Sequence, residues 1–511
     1  MAELPVLDVR LVRAREFTTS APVSFPDPAF LAFPERVVQF GTGALLRGLV
    51  DYIVDDANRR GFGGRIVAIG QTGSGRDDLV NAQDGLFTLL IEGSEQGREI
   101  REARVVGAVS RAISATADWD AVLALARNPD IEIIFSNTTE VGIAFDDQDR
   151  VDLAPPRSFP GKLTRYLYER AEAFDYDADK GVTVVPCELI EENGARLREI
   201  VLRLADKWTL GGRFTDWVTE SVTFCDTLVD RIVSGTPGRD RSARIRSELG
   251  YRDELVTVCE PYHLLAIAAK DPGRARLEPL LSDGHVIATG DVSPYRERKV
   301  RILNGGHTAM VSLALLTGCE TVLDAMTDGD IGPFIRQCVL DEIVPTVAVA
   351  GARDFANEVL ERFSNPFIAH SLIDITLHGA TKFRVRVVPS IIAHTQKRRQ
   401  PPPALTLGFA AMLFFLRGDV QARRASAGLA VPPDEIGSRI QSAWQSRAAS
   451  DFDNLAREVC GNVTLWGTDL TRLPGFVEAV GMHLSILARE GPRAALATLR
   501  YPVESLQGTG S

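Results

Sequence analysis

The sequence predicts an amino-terminal α/β domain with a mostly parallel sheet, over residues 1–293, followed by a mainly α-helical domain over residues 294–511. Three observations carry this. A chain of 511 residues exceeds what one hydrophobic core ordinarily organises, so two domains are expected. Before Pro294, short β-branched runs alternate with stretches of helical periodicity, the pattern of parallel strands joined by crossover helices. From Arg298 onward apolar residues recur every three or four positions and strand signals nearly vanish.

In the first domain, RVVQF (Arg36–Phe40) is the first strand and Ala44–Arg60 the first helix. RIVAI (Arg65–Ile69) is the second strand, and LFTLLIEG and EIREARVVGAV form a hairpin about the turn-rich SEQG. IEIIFS (Ile131–Ser136) and GVTVVPC (Gly181–Cys187) are further strands, each leading into helical periodicity. In the second domain NEVLERF (Asn357–Phe363) and FAAMLFFL (Phe409–Leu416) have helical spacing. KRRQPPP (Lys397–Pro403) is a loop between helices, because three consecutive prolines cannot continue one.

The composition, 45% hydrophobic and 24% charged, is that of a folded globular protein. A net charge of -11 argues against a nucleic-acid partner, which requires basic faces, but leaves room for a local cationic pocket. Cys187, Cys225, Cys259, Cys319, Cys338 and Cys460 show no CxxC pair, and read as reduced thiols in a reducing compartment. MAELPVLDVRLVRAREF carries charges where a secretory leader needs an apolar core, and no run approaches the ~20 apolar residues of a membrane span. A cytoplasmic protein without a membrane partner is expected; the oligomeric state stays open. No HExxH-like spacing supports a metal on Glu260, His263 and His307, so none is expected.

QFGTGALLRG (Gln39–Gly48) runs from the first strand into the first helix. Gly41 and Gly43 permit a tight turn and close approach of a diphosphate, while the helix N-terminus adds free amides. The domain is therefore Rossmann-type, with Phe40, Gly41, Thr42 and Gly43 as candidate cofactor-binding residues. The third glycine of GxGxxG would fall at Leu46; Gly48 follows two residues later. Ser136, Asn137 and Thr138 follow a strand where such folds line the nicotinamide side of the cleft. The second strand ends in GQTGSGR, without the Asp or Glu that NAD sites often offer the ribose. Arg76 and Ser74 suit a 2′-phosphate, so NAD and NADP both remain open.

PYRERKVRILNGGHTAM (Pro294–Met310) is the richest stretch. In an α-helix Lys299, Asn304 and His307 would share an arc of about 140°. A lysine, an amide and an imidazole on one face suit carbonyl reduction: the lysine protonates the new alkoxide while the others bind the developing charge. Gly305 and Gly306 would let a ligand approach the backbone.

These segments, with QDGLF, FSNTTE, PCELIEENG, TLVDRIV and RFSNP followed by KFRVR, keep the order and spacing of the polyol-specific long-chain dehydrogenases, the mannitol dehydrogenase superfamily. The chain resembles that family from about Phe33 to about Leu487. The resemblance implies that, in KxxxxNxxH, Lys299 is the general acid/base while Asn304 and His307 orient the carbonyl and hydroxyls. SNTTE, PCELIEENG, LNGGHT and HGATKFRVRVVP look like the tagaturonate-reducing branch, which implies NADH-dependent reduction of D-tagaturonate to D-altronate in hexuronate catabolism. Fructuronate, mannitol, fructose or a related polyol is the alternative. Mannitol-type members carry a Cys-Asp-Asn segment, whose asparagine matches Leu189 here; where they have an acid and an arginine after RFSNP, this chain has His370 and Asp374. Both departures suit a substrate carboxylate, with Lys382, Arg384 and Arg386 as its expected counter-charges and Arg296 and Arg298 as alternatives. Asp230 and Arg231 match a family motif and equally suit an ion pair bracing the cleft.

Overall fold

The computed structural model of the protein describes residues 4–14, 19, 22–71, 73, 75–138, 142–282, 284–368, 370–421, 432–446 and 450–499. The chain divides into two compact units, residues 1–93 with 99–293 and residues 94–98 with 294–511.

The first unit is built on a six-stranded parallel sheet of β1 (Glu35–Phe40), β2 (Arg65–Gly70), β3 (Val109–Ser114), β4 (Ile133–Ser136), β5 (Thr183–Pro186) and β6 (Thr223–Phe224). Their spatial order is β3-β2-β1-β4-β5-β6. That order reverses direction between β1 and β4, where Val38 pairs with Ile134 and, on its other side, with Val67. Successive residues alternate between two buried clusters. Val37, Ile66, Ile133 and Val185 enter one, and Val38, Val67, Ile134 and Val184 the other. Strands covered on both faces need apolar residues at every position, which is why they read as unbroken β-branched runs rather than alternating ones.

Two further sheets accompany it. Phe87–Glu95 and Arg98–Val106 form the expected hairpin, with positive φ at Gln96 and Gly97 as a two-residue primed turn demands. They join Val23–Ser24, Thr257–Cys259 and Val233–Gly235, while Asp226–Asp230, Leu264–Ala268 and Val286–Thr289 make a three-stranded sheet. Apart from the hairpin these strands are two to five residues long and leave little periodic signal, so the sequence does not announce how the two sheets assemble.

The second unit is helical, with no strand among its described residues after Pro294. Its centre is Pro403–Phe415, which has proline at its first position and is buried at every residue from Ala404 to Phe415. Gly408 lets this helix close on its neighbour Gly305–Leu316: a Cβ there would stand 2.7 Å from Ala309 O. Glu342 caps its N-terminus, accepting from the amides of Ala404 and Leu405 at 2.8 and 2.7 Å. No helix among the described residues is long and apolar enough to cross a membrane.

Candidate functional site

In the first unit, β1 delivers the chain to a glycine turn at the carboxyl end of the sheet. Gly41 has φ +129°, and a Cβ there would lie 2.8 Å from Leu46 Cδ1 and 3.2 Å from Asn137 O. Gly43 is the extended N-cap of Ala44–Leu46, with no atom within 4 Å of where its Cβ would sit. Its backbone is open to a ligand, as a diphosphate cradle requires. Leu46, at the third-glycine position, packs over Gly41; Gly48 takes the close-packing role, its absent Cβ 2.8 Å from Val233 Cγ2. The first helix is not α-helical throughout: Arg47–Asp51 forms a π-turn between Ala44–Leu46 and Tyr52–Arg59. Arg231 braces that turn, donating from Nη1 to Gly48 O at 2.6 Å and from Nε to Glu260 O at 2.9 Å.

An open cleft of about 1380 Å³ faces the turn, lined by Gly41, Thr42, Gly43, Asn137 and Thr138 and by the cations Arg76, Arg157 and Lys162. Open glycine backbone, a helix N-terminus and three cations fit a dinucleotide diphosphate. Phe40 and Ser136 do not line the cleft. Both end strands whose side chains point into the packed layers, so only the loop residues after them reach it. Phe40 packs on Phe159 and Tyr166, at ring-centroid distances of 5.3 and 6.2 Å. Ser136 Oγ donates to Glu188 Oε2 at 3.1 Å.

Glu188, unassigned from sequence, is buried and also accepts from the amide and hydroxyl of Thr138 at 3.0 and 3.1 Å. Burial raises its pKa and these hydrogen bonds oppose the rise. Asn193 secures the same loop, donating to Pro186 O and Glu188 O at 3.0 and 3.1 Å and leaving Leu189 exposed. Lys162 was also missed: its Nζ donates to Arg157 O at 3.0 Å, and burial lowers its pKa. At the end of β2, a Cβ on Gly70 would meet the Asp77 carboxylate at 2.0 Å. An acidic side chain thus reaches the strand end from the following helix rather than from positions 70–72. Ser74, the other candidate there, lies outside the described residues.

In the second unit, Lys299–Asn304 is a π-turn running into the α-helix Gly305–Leu316, not the uniform α-helix expected. Pairing each residue with the fifth along stacks Lys299 and Asn304 more nearly above one another than α-geometry does, and His307 follows on the same side one α-turn later. Arg301 braces this stretch, donating to Ser390 Oγ and Thr346 Oγ1, each at 2.9 Å. The glycine pair serves packing rather than ligand access: a Cβ on Gly305 would stand 3.2 Å from Arg386 O, and one on Gly306 3.0 Å from Val339 Cγ2.

His307 is buried against Phe363, ring centroids 4.0 Å apart, with His370 edge-on at 4.9 Å. Burial first, then His370, Arg362, Arg386 and Lys382, hold its pKa well below the usual histidine range, so the ring is neutral. Its Nε2 is buried without a hydrogen-bond partner among the described residues. Lys382, whose Nζ donates to Ile375 O at 3.2 Å, and Arg386, whose Nη1 donates to Thr308 Oγ1 at 3.5 Å, thus lie near enough to act on this histidine. Arg384 does not: it is exposed, and its Nη1 approaches Thr464 O at 3.4 Å. Alternate faces of the short helix Gly379–Arg386 separate it from its neighbours. Arg362 was missed, although the RFSNP motif that contains it is visible in the sequence. Arg298 lies over Phe355 at 4.5 Å from the ring centre.

Among the described residues no group of three His, Cys, Asp or Glu side chains is placed to hold a metal. His263 stacks on His285 at 4.3 Å, and Glu260 accepts from the Ile232 amide at 2.6 Å.

A parallel sheet in this order, with a glycine turn feeding a helix at its switch point, defines a dinucleotide-binding dehydrogenase fold. Residues 35–278 match the mannitol dehydrogenase Rossmann domain and residues 291–488 the mannitol dehydrogenase C-terminal domain. The chain belongs to the mannitol dehydrogenase family. It is 41% identical over 473 residues to an altronate oxidoreductase of Yersinia pestis, covering 91% of this chain and 96% of that protein. An altronate oxidoreductase of Bacillus subtilis (strain 168) is 38% identical over 468 residues, 91% and 95% of the two chains. The Pseudomonas fluorescens mannitol 2-dehydrogenase, solved as a ternary complex with NAD and D-mannitol, shares the fold at TM-score 0.70 and 24% identity, covering 96% of this chain and 99% of that one. A substrate-free D-sorbitol dehydrogenase shares it at TM-score 0.73 and 22% identity, covering 96% and 100%.

Proposed function

We propose that the chain interconverts D-tagaturonate and D-altronate with NADH and NAD, in cytoplasmic hexuronate catabolism. The observation that carries this is 38–41% identity, over 91% of the chain, to proteins named altronate oxidoreductase. The basic surroundings of His307 support it, since a sugar acid brings a carboxylate that a polyol lacks. Six free, buried cysteines suit a reducing compartment.

With its diphosphate held over Gly41–Gly43, a reduced nicotinamide cofactor would supply the hydride for the carbonyl carbon. Lys299 donates a proton from Nζ to the carbonyl oxygen and, in the reverse direction, takes it from the alcohol. Asn304 donates an amide hydrogen bond to the same oxygen, offsetting the charge that develops there. The neutral His307 offers its unpaired Nε2 to a substrate hydroxyl, which a protonated ring would meet only as a donor. Lys382 and Arg386, with Arg362, hold the carboxylate through charge-assisted bonds, and Arg384 takes no part. Asn137 and Thr138 line the nicotinamide side, with Ser136 supporting them through Glu188. The Asp77 carboxylate at the end of β2 favours the ribose hydroxyls of NAD; Arg76 is the feature that would favour NADP.

The test is oxidation of NADH and NADPH by purified enzyme with D-tagaturonate, D-fructuronate and D-fructose. Tagaturonate with NADH should give the highest kcat/KM. Preference for fructose would overturn the sugar-acid reading, and preference for NADPH the role of Asp77.

A further inference from the structure

We propose that Arg47 and Gln39 are positioning residues for the cofactor diphosphate, holding the Gly41 and Thr42 carbonyls inward so that the turn offers amides to the ligand. The inference rests on the cofactor reading above. Gln39 and Arg47 are buried beneath the turn, at 1% and 4% exposure. Gln39 Nε2 donates to Gly41 O at 3.2 Å, and Arg47 Nη1 donates to Thr42 O at 2.6 Å. Arg47 Nε is anchored on Thr257 Oγ1 at 2.9 Å, so its guanidinium spans from the sheet to the turn. The Gly41 amide is committed as well, donating to Ile69 O at 2.9 Å.

These bonds fix the orientation of successive peptide planes. A carbonyl swung outward would present its negative end to a diphosphate; an inward carbonyl leaves the following N–H on the outer side. The amides of Thr42 and Gly43 are the groups of the turn that no described residue engages. Pre-orienting them removes an ordering cost from binding. Asp51, one turn beyond Arg47 and fully buried, lies beside the Arg47 guanidinium and the Gln39 amide. Arginine is suited to this place because its planar fork makes both bonds in fixed geometry, whereas a lysine ammonium is a single flexible point.

The test uses the full enzyme and the variants Arg47→Met, Arg47→Lys and Gln39→Met, with NADH affinity read by fluorescence titration and adenosine affinity by competition. Arg47→Met should weaken NADH binding about 10- to 100-fold, and Gln39→Met by about 3- to 10-fold, from the loss of charged and neutral hydrogen bonds respectively. Adenosine, which lacks the diphosphate, should bind as before, and kcat at saturating NADH should stay within about twofold. Arg47→Lys should rescue little, since charge alone does not orient the turn. Unchanged NADH affinity in both methionine variants would overturn the proposal, as would an equal loss for adenosine, which would signal collapse of the whole cleft. Where Arg47→Met fails to fold, Gln39→Met decides alone, because it removes one bond and no charge. Wild-type enzyme that binds neither NADH nor NADPH would overturn the cofactor reading itself; wild-type binding with unaffected variants overturns only the positioning role.

Discussion

The two units present their candidate sites in opposite ways. In the first, the groups facing the cleft at the turn are backbone, made available by two glycines and held from below by buried side chains. In the second, the candidate groups are side chains on a widened helical turn and the helix it enters, and the glycines among them serve packing. Backbone recognition tolerates almost any flanking side chain but no Cβ at its key position. Side-chain recognition can be retuned one residue at a time. Cofactor binding should therefore fail through shape, and substrate selection through charge.

The sharpest way to break this contrast is Lys299→Ala. The proposed acid/base role predicts that kcat falls about a thousandfold while the NADH dissociation constant holds, measured by steady-state kinetics and fluorescence titration. A loss below tenfold would remove Lys299 from the chemistry. Gly41→Val is the mirror experiment in the other unit. At φ +129° with Leu46 2.8 Å away, a β-branched residue must displace the turn, and NADH affinity should drop about a hundredfold.

Next in size, Arg386→Ala or Lys382→Ala should raise KM about 10-fold or more for a uronate, and under twofold for an uncharged ketose. Arg384→Ala should affect both substrates equally and little. A selective effect at Arg384 would restore it to the carboxylate site.

Reading the sequence reached some of this and missed the rest for definite reasons. The parallel sheet was legible because strands buried on both faces must be apolar throughout, as Val37 and Val38 illustrate. The glycine turn was legible because only glycine meets a φ like that of Gly41. Phe40 and Ser136 were drawn to the cleft by their nearness in sequence to the turn residues, yet side-chain alternation turns them inward. Arg384 was grouped with Lys382 and Arg386 for the same reason, and helical rotation separates it. Glu188, Lys162, Asp77 and Arg362 were passed over because each reaches its place from another element. The π-turns at Arg47 and Lys299 leave no periodic signature that distinguishes five or six residues of one helix type from another.

The smallest predicted effect concerns pH. Burial raises the pKa of Asp51 and of Glu342, each to about 7 from below 5. A raised folded-state pKa contributes stability that is fully present below the unfolded value and is lost as pH rises through the folded one. His263, at about 3, His483, at about 4, and His307 are shifted down, so their contribution is lost as pH falls through the unfolded value of 6.5. Thermal stability should therefore peak near neutrality and decline by a few degrees towards about pH 8.5. Asp51→Asn should flatten that alkaline decline; an unaltered alkaline limb would show that Asp51 is not its source.

The widened turn at Lys299–Asn304 also bears on how the chain tolerates length changes. A π-turn accommodates one residue more than an α-turn would over the same rise. Deleting a single residue such as Val300 would let the helix regularise to α-geometry with the turns on either side held near their present phase, so Lys299 would stay on the side of Asn304 and His307. The shortened helix would keep both a complete hydrogen-bond ladder and the alignment of its lysine. A one-residue deletion there should therefore cost less than one in a regular α-helix, where each deletion turns the preceding residues by about 100°.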